Sequence, residues 1–115
     1  MIRRTNRKEM FKLLENNPQW KVVDLASSTA GWKYADVFTD VYDHSEFYKN
    51  RYNGEKKFIQ CNVENTPFKD KEFDFVVASH ILEHVDNPIE FCKELSRIGK
   101  RGYIEVPTPL WDNLV

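Results

Sequence analysis

The chain has 115 residues, of which 41% are hydrophobic and 30% are charged, an ordinary composition for a globular protein. This length predicts one domain over residues 1–115, built around a single hydrophobic core. The formal net charge of −1 gives no electrostatic reason to expect a nucleic-acid partner. We found no apolar run long enough to span a membrane and no signal peptide after the basic start, so we expect a cytoplasmic protein. That basic start is interpreted as a solvated helix start and comprises Arg3, Arg4, Arg7 and Lys8.

The two cysteines, Cys61 and Cys92, lack the spacing of a metal site. Cys61 falls at a predicted strand end and Cys92 within a predicted helix. We therefore expect buried free thiols in a reducing compartment.

The predicted elements alternate between helices and strands along the chain. Asn6 and Glu9 form a capping box for the first helix, and Asn87 followed by Pro88 starts the last. Asp43 and Glu46 are the cap signal of the short middle helix. The predicted helices are 6–16, 43–52 and 87–98, and the predicted strands are 22–25, 35–40, 57–60, 73–79 and 102–106.

This alternation predicts an α/β fold with a mainly parallel, five-stranded sheet. The continuous apolar run from Phe75 to Ala78 is typical of a strand that is buried on both faces. About ten residues separate the first two strands, which is close to the minimum for a crossover. Any helix in this crossover, around Gly31 to Tyr34, must therefore be one turn or less.

Polar or small residues follow successive strands, where the carboxyl ends of a parallel sheet bind ligands. The first group is the small-residue run from Asp24 to Gly31, which lets a ligand approach the backbone closely but also occurs in ordinary loops. The second is Asp40, which could bind a ribose diol or simply cap the next turn. The third is the loop from Asn62 to Phe68, which could read an adenine or form an Asx turn.

The pair Ser79-His80 ends the strongest strand, and the residues from His80 to His84 also spell H-x-x-E-H. On an α-helix, His80 and His84 would share one face and could bind Zn²⁺, with Glu83 as a general base. A zinc hydrolase is therefore one alternative. For His84 itself, the interpretation we favour is a partly buried histidine on a short helix.

Segment 61–76 reads CNVENTPFKDKEFDFV and resembles the GDAEDLPF-x-D-x-x-FDVV signature of class I S-adenosylmethionine-dependent methyltransferases of the type 11 group. Segment 79–85, SHILEHV, resembles the S-x-x-LEHV motif that follows in that family. The resemblance covers residues from about 21 to 106. It implies a Rossmann-like three-layer sandwich with strand order 3-2-1-4-5 and S-adenosylmethionine as the cofactor, bound across the strand ends.

The resemblance also implies roles for particular residues. Asp40 corresponds to the acid that binds the ribose, and Ser79 and His80 correspond to the wall near the methionine part. The residues that correspond to the D-x-G-x-G-x-G turn are Asp24, Ala26, Ser28 and Ala30, and those that correspond to the adenine contacts are Asn62 and Val63.

Four departures from the family pattern stand out. All three glycines of the turn are replaced by residues with a Cβ atom, which strains any position that needs a positive φ. Asn62 stands where the family has an aspartate, and the chain ends before the sixth and seventh strands of the family's sheet. Because S-adenosylmethionine has no phosphate, it does not need the missing crossover helix as a dinucleotide would.

The sequence therefore predicts an S-adenosylmethionine-dependent methyltransferase acting on a small or medium acceptor, with His80 as the candidate base. A non-catalytic methyltransferase-like module is the main alternative, and an unfinished sheet edge suggests a homodimer. Predicted loops carry three aromatic residues that could line a substrate pocket but that we expect to plug the end of the sheet: Trp32, Tyr34 and Trp111.

Overall fold

The computed structural model describes residues 5–79 and 81–105, without the side chain of Glu83. Three α-helices, one 3-10 turn and five strands follow one another in these ranges. The helices are α1 (Arg7–Asn16), α2 (Ser45–Arg51) and α3 (Pro88–Ile98), and the 3-10 turn is Leu82–His84. The strands are β1 (Val22–Asp24), β2 (Val37–Asp40), β3 (Lys57–Gln60), β4 (Phe75–Ser79) and β5 (Gly102–Glu105).

The five strands form one sheet in the order β3-β2-β1-β4-β5, and every pairing between them is parallel. This confirms the predicted α/β class and the 3-2-1-4-5 order. Two predicted strands start two residues later than expected, at Val37 and Phe75. Phe73 makes only a single bridge, to Gly99, so the chain joins the sheet gradually there.

The sheet is buried on both faces, because neighbouring residues of each central strand point into different cores. Val22 and Val77 contribute to a core with residues of α1 and α2, whereas Val23 and Val76 contribute to a core with residues of α3. The result is a three-layer sandwich whose carboxyl strand ends all lie at one rim.

No helix forms between β1 and β2, where the sequence allowed at most one turn. Trp32 takes up this space instead and is 5% exposed. Its ring lies 4.8 Å from that of Phe11 in α1 and 5.6 Å from that of Tyr103 in β5. Trp32 therefore plugs the sheet end as expected, and Tyr34 packs on Phe11 at 5.3 Å. Trp111 lies outside the described residues.

The helix caps follow the sequence signals at both ends of the fold. The Asn6 side chain accepts a hydrogen bond from the Glu9 amide, and that of Asn87 accepts one from the Glu90 amide. At α2 the N-cap is His44, which makes no side-chain cap hydrogen bond; Asp43 accepts a hydrogen bond from the Ser45 amide at 2.9 Å, and the helix starts two residues later than predicted. Among the helices of residues 5–79 and 81–105, none has both the length and the apolar character to cross a membrane.

The expectations about the two cysteines and about Arg7 are wrong. Cys92 is an exposed free thiol rather than a buried one, because it faces away from the core residues of α3, and Cys61 is only half-buried. Arg7 is not simply a solvated residue of the helix start, since its guanidinium is paired with Glu105 at the end of β5.

Candidate functional site

The candidate site is the carboxyl rim of the sheet, where parallel strands deliver the residues that follow them. Asp24 and Asp40 end β1 and β2, and Ser79 ends β4. Crevices at such rims are the usual ligand sites of open α/β sheets. The predicted site residues that the structure describes therefore lie along one edge of the molecule.

The loop after β1 keeps a glycine-like backbone without its glycines. Ala26 has a φ of 53° and Ser28 a φ of 48°, both in the left-handed region. This conformation costs a residue with a Cβ atom roughly 1–2 kcal/mol. Strain of this kind persists only where the surroundings hold it in place. Ala30, the third substituted position, is exposed, and its amide donates to the Ser27 carbonyl at 3.0 Å.

Asp40 faces this loop and is itself 8% exposed. Its Oδ2 accepts a hydrogen bond from the Ser28 amide at 2.9 Å, and its Oδ1 accepts one from the Tyr42 amide at 3.1 Å. A carboxylate offers about four acceptor positions, so lone pairs remain for ligand hydroxyls. The acid predicted to bind a ribose thus stands beside the loop predicted to cradle the cofactor.

Asp24 lies beneath the loop rather than in the crevice, with 2% of its surface exposed. Its Oδ2 accepts a hydrogen bond from the Trp32 amide at 2.7 Å. Burial raises the pKa of this carboxyl to about 7, although the Trp32 amide and the charge of Arg7 act in the opposite direction. Asp24 therefore braces the loop from the inside and offers a ligand little surface of its own.

The third loop forms the Asx turn that the sequence allowed as an alternative. The side-chain oxygen of Asn62 accepts a hydrogen bond from the Glu64 amide at 2.8 Å, and Val63 is buried.

Glu94 of α3 contacts the end of this loop. It accepts two hydrogen bonds from Thr66, from its amide at 2.6 Å and from its hydroxyl at 2.7 Å. The hydrogen bonds from Arg97 and Thr66 lower the pKa of Glu94 to about 2 despite its burial.

Ser79 belongs to a polar cluster that connects α1 to β5. Its hydroxyl donates to Glu105 at 2.9 Å and accepts from the Arg7 guanidinium at 3.1 Å. Tyr103 also donates to Glu105, at 2.8 Å. Burial raises the pKa of Glu105, but the hydrogen bonds from Arg7, Tyr103 and Ser79 outweigh it and lower the pKa to about 2.

The H-x-x-E-H motif does not form an α-helical face in the part of it that the structure describes. Leu82–His84 is a single 3-10 turn, and His80 lies outside the described residues. The expectation that His84 is partly buried is wrong, because its side chain is exposed. Within residues 5–79 and 81–105, no group of three or more His, Cys, Asp or Glu side chains is placed to hold a metal ion. The geometry therefore gives the zinc hydrolase no support.

Sequence reasoning missed three residues that organise this rim. Glu94 lies three residues after Phe91 and four before Ile98, both of which are buried, so its place on the apolar face of α3 was a usable signal.

Arg7 pairs with Glu105, and Tyr48 of α2 donates a hydrogen bond to the Ser28 carbonyl of the loop after β1. No signal in the sequence indicated either contact, because Arg7 and Tyr48 lie far along the chain from their partners. Their contacts join residues 98 positions apart for Arg7 and 20 apart for Tyr48.

Comparison with known proteins identifies the family. The family described as "Methyltransferase domain" matches residues 21–104. A protein of Methanocaldococcus jannaschii is 30% identical over 109 residues, which is 92% of this chain and 48% of that protein. This chain thus spans about half the length of that relative.

Solved structures share the fold at lower identity. A S-adenosylmethionine-dependent methyltransferase of Thermotoga maritima, described as a possible histamine N-methyltransferase, is 21% identical with a TM-score of 0.62 over 86% of this chain and 55% of that one. A putative methyltransferase of Methanococcus maripaludis is 16% identical with a TM-score of 0.65 over 99% of this chain and 78% of that one.

A parallel sheet in 3-2-1-4-5 order, with helices on both faces and an acid at the end of its second strand facing the loop after its first, defines an α/β protein of the Rossmann-like class. The match over residues 21–104 makes the assignment specific. The chain belongs to the type 11 group of class I S-adenosylmethionine-dependent methyltransferases.

Proposed function

We propose that this chain carries out S-adenosylmethionine-dependent methyl transfer to a small or medium acceptor. The observation that carries this proposal is the left-handed backbone at Ala26 and Ser28, with the Asp40 carboxylate bonded to the Ser28 amide. The turn that glycines form in the family is thus kept in shape here at a cost in strain. Strain kept beside a ligand rim is typical of functional sites.

The residues present fit the cofactor, because the loop backbone has the glycine-type course and the added side chains are no larger than a hydroxymethyl group. Asp40 would hold the ribose hydroxyls and Ser79 would border the methionine end. The further proposed contacts are those of Ala26, Ser28, Ala30, Asn62, Val63 and His80, whereas Asp24, predicted as a contact, would support the loop from beneath. When bound, S-adenosylmethionine supplies a methyl group that its sulfonium already activates.

The chain's own contribution is then chiefly position and orientation, which can supply up to about 7–11 kcal/mol of a barrier. A base is needed only where the acceptor must lose a proton. His80 is our candidate for this role, by its place directly after β4 in the sequence. For the methyl acceptor we propose only its size, small or medium, and no chemical class.

Thermal denaturation with S-adenosylhomocysteine tests cofactor binding. At 100 times its dissociation constant, the ligand should stabilise the protein by about 2.7 kcal/mol. We expect Asp40→Ala to lose this stabilisation. Asp36→Ala is the matched control, because Asp36 also bonds a backbone amide, that of Val22 at 2.9 Å, but precedes β2 rather than ending it.

The control should lose some stability and keep the ligand-induced shift. An unchanged melting temperature of the wild-type protein at millimolar ligand would contradict the proposal.

A non-catalytic module is the second candidate, and the site gives it one argument. Both carboxylate oxygens of Asp40 are already engaged by backbone amides of the protein itself. Formation of S-adenosylhomocysteine from S-adenosylmethionine in the presence of candidate acceptors separates the two functions. Binding with no turnover across amine, hydroxyl and carboxylate acceptors would favour the module.

We also propose that the sheet edge pairs two copies of this chain. β5 is the last strand at its side of the sheet within the described residues, and Ile104 on it is 41% exposed. Exposed strand edges favour pairing with another strand. Light scattering that gives the mass of a monomer at micromolar concentrations would contradict this.

A further inference from the structure

The Tyr48 side chain of α2 is fixed within the aromatic core. It is 1% exposed, and its ring stacks on that of Phe38 at 4.0 Å with 13° between the planes. The ring of Phe58 lies 5.7 Å away on a nearly parallel plane. These contacts hold the phenol oxygen in one place, because the side chain cannot change its rotamer without breaking the stack.

The phenol oxygen of Tyr48 lies within hydrogen-bond distance of three residues of the loop after β1. It donates to the Ser28 carbonyl at 2.6 Å and accepts from the Gly31 amide at 3.1 Å. The Ser27 hydroxyl lies 3.0 Å away. Burial raises the pKa of Tyr48 above its ordinary value, so the phenol is a hydrogen-bond donor throughout the neutral pH range.

This approach depends on a glycine at position 31. A Cβ atom there would lie 2.4 Å from the Phe38 ring and 2.8 Å from the Tyr48 oxygen. The chain thus lacks the glycines that the family places at 26, 28 and 30 but has one where the loop backbone meets the tyrosine. Together, Gly31 and Tyr48 close the loop in the region where a crossover helix is missing.

Ser28 shows what this closure does. It holds a φ of 48°, and both of its peptide groups are bonded: its amide to Asp40 and its carbonyl to Tyr48. A strained residue needs such over-determined surroundings. Without the phenol oxygen, Ser28 is free to leave the left-handed region, and the carboxylate of Asp40 loses its fixed neighbour.

We propose that Tyr48 is a positioning residue, which holds the loop 26–31 in the conformation that binds the cofactor. It takes the place of the crossover helix as the support of that loop. This inference rests on the proposed function, because it assigns a residue to the same cofactor site. Tyr48 acts through Ser28 and Asp40 and need not touch the ligand.

The test compares Tyr48→Phe with Tyr52→Phe by titration calorimetry with S-adenosylhomocysteine. Phe at 48 keeps the aromatic stack and removes only the hydroxyl. Tyr52 is the matched control, because its ring stacks on the same Phe38 at 5.6 Å while the contacts described for the loop are those of Tyr48. Measurements at a temperature where all variants are fully folded separate affinity from stability.

We expect Tyr48→Phe to raise the dissociation constant about tenfold, which corresponds to 1.4 kcal/mol, and Tyr52→Phe to leave it unchanged. In a turnover assay at several cofactor concentrations, the KM for S-adenosylmethionine should rise with a smaller change in kcat. A lower melting temperature with an unchanged dissociation constant would show a merely structural hydroxyl and overturn the inference.

Amide hydrogen exchange of the ligand-free protein gives a second readout. Exchange at Gly31 should accelerate in Tyr48→Phe and stay at the wild-type rate in Tyr52→Phe. If the wild-type protein binds no S-adenosylhomocysteine, the proposed function fails. The positioning role then fails with it, even where the exchange data confirm that the Tyr48 hydroxyl holds the Gly31 amide. If the wild-type protein binds and Tyr48→Phe binds equally well, only the positioning role fails.

Discussion

At the scale of single residues, the loop after β1 shows a backbone shape retained after its residue types have changed. Ala26 and Ser28 keep left-handed φ values of 53° and 48°. The sequence allowed the strain to be anticipated, because glycines stand at these positions in the family. It did not show which groups hold the strained residues, since Tyr48 and Asp40 reach the loop from elements 20 and 12 positions away.

Glycine at these positions should therefore cost the protein little. We expect Ala26→Gly and Ser28→Gly to change the free energy of unfolding by less than about 0.5 kcal/mol, because relief of strain offsets the flexibility of glycine. Ala30→Gly is the control, since Ala30 does not share the positive φ, and it should cost about 0.4–1 kcal/mol. Equal losses in urea denaturation for all three variants would contradict the strain argument.

At the scale of elements, local signals predicted most of what formed. The caps at Asn6 and Asn87, the stop after α3 and the short β3 edge strand depend on neighbours in sequence. The predicted start of α2 was wrong by two residues, since Asp43 bonds the Ser45 amide from outside the helix and the N-cap position belongs to His44. Contacts between elements were not readable in this way, and the attachment of α3 to the Asn62 loop is one of them.

Glu94 makes that attachment and should be important for stability. Glu94→Ala leaves the buried Thr66 amide without its acceptor and removes a partner of Arg97, so we expect a loss of about 2–3 kcal/mol in the free energy of unfolding. Glu94→Gln keeps an acceptor oxygen and should lose less than half as much. Urea denaturation measures both.

Glu90→Ala is the control on the same helix. Glu90 is exposed and its contact with Lys93 is 3.6 Å, so its loss should be within about 0.5 kcal/mol. A loss for Glu94→Ala that is no larger than for Glu90→Ala would show that the Thr66 contacts contribute nothing.

At the scale of the whole molecule, the pKa is lowered for some buried carboxyls and raised for another, and together these shifts predict that the protein is most stable at acidic pH. Glu94 and Glu105 have pKa values lowered to about 2, so their contribution is complete above 4.5, their ordinary value, and is lost as the pH falls to 2. Asp24 has a pKa raised to about 7 from 3.8, so its contribution is complete below 3.8 and is lost as the pH rises through 7. The ionisable side chains that interact with the Asp24 carboxyl are Arg7 of α1 and Tyr48 of α2.

We therefore expect the free energy of unfolding to be largest between about pH 4 and pH 5. Urea denaturation from pH 2.5 to pH 8 measures the profile. Asp24→Asn should flatten the decline above pH 5, because an amide does not ionise, and Glu94→Gln should reduce the loss below pH 4.5. Greater stability at pH 7 than at pH 5 in the wild-type protein would contradict the role assigned to Asp24.

The pairing of Arg7 with Glu105 has a consequence for how the molecule is assembled. It joins the first described helix to the last described strand, 98 residues apart, and Tyr103 beside it also covers Trp32. During synthesis, α1 is translated before β5, so Glu105, which pairs with Arg7, and Tyr103, whose ring packs on Trp32, are made later than the residues they contact. Helix α1 therefore lacks these contacts until β5 has been translated.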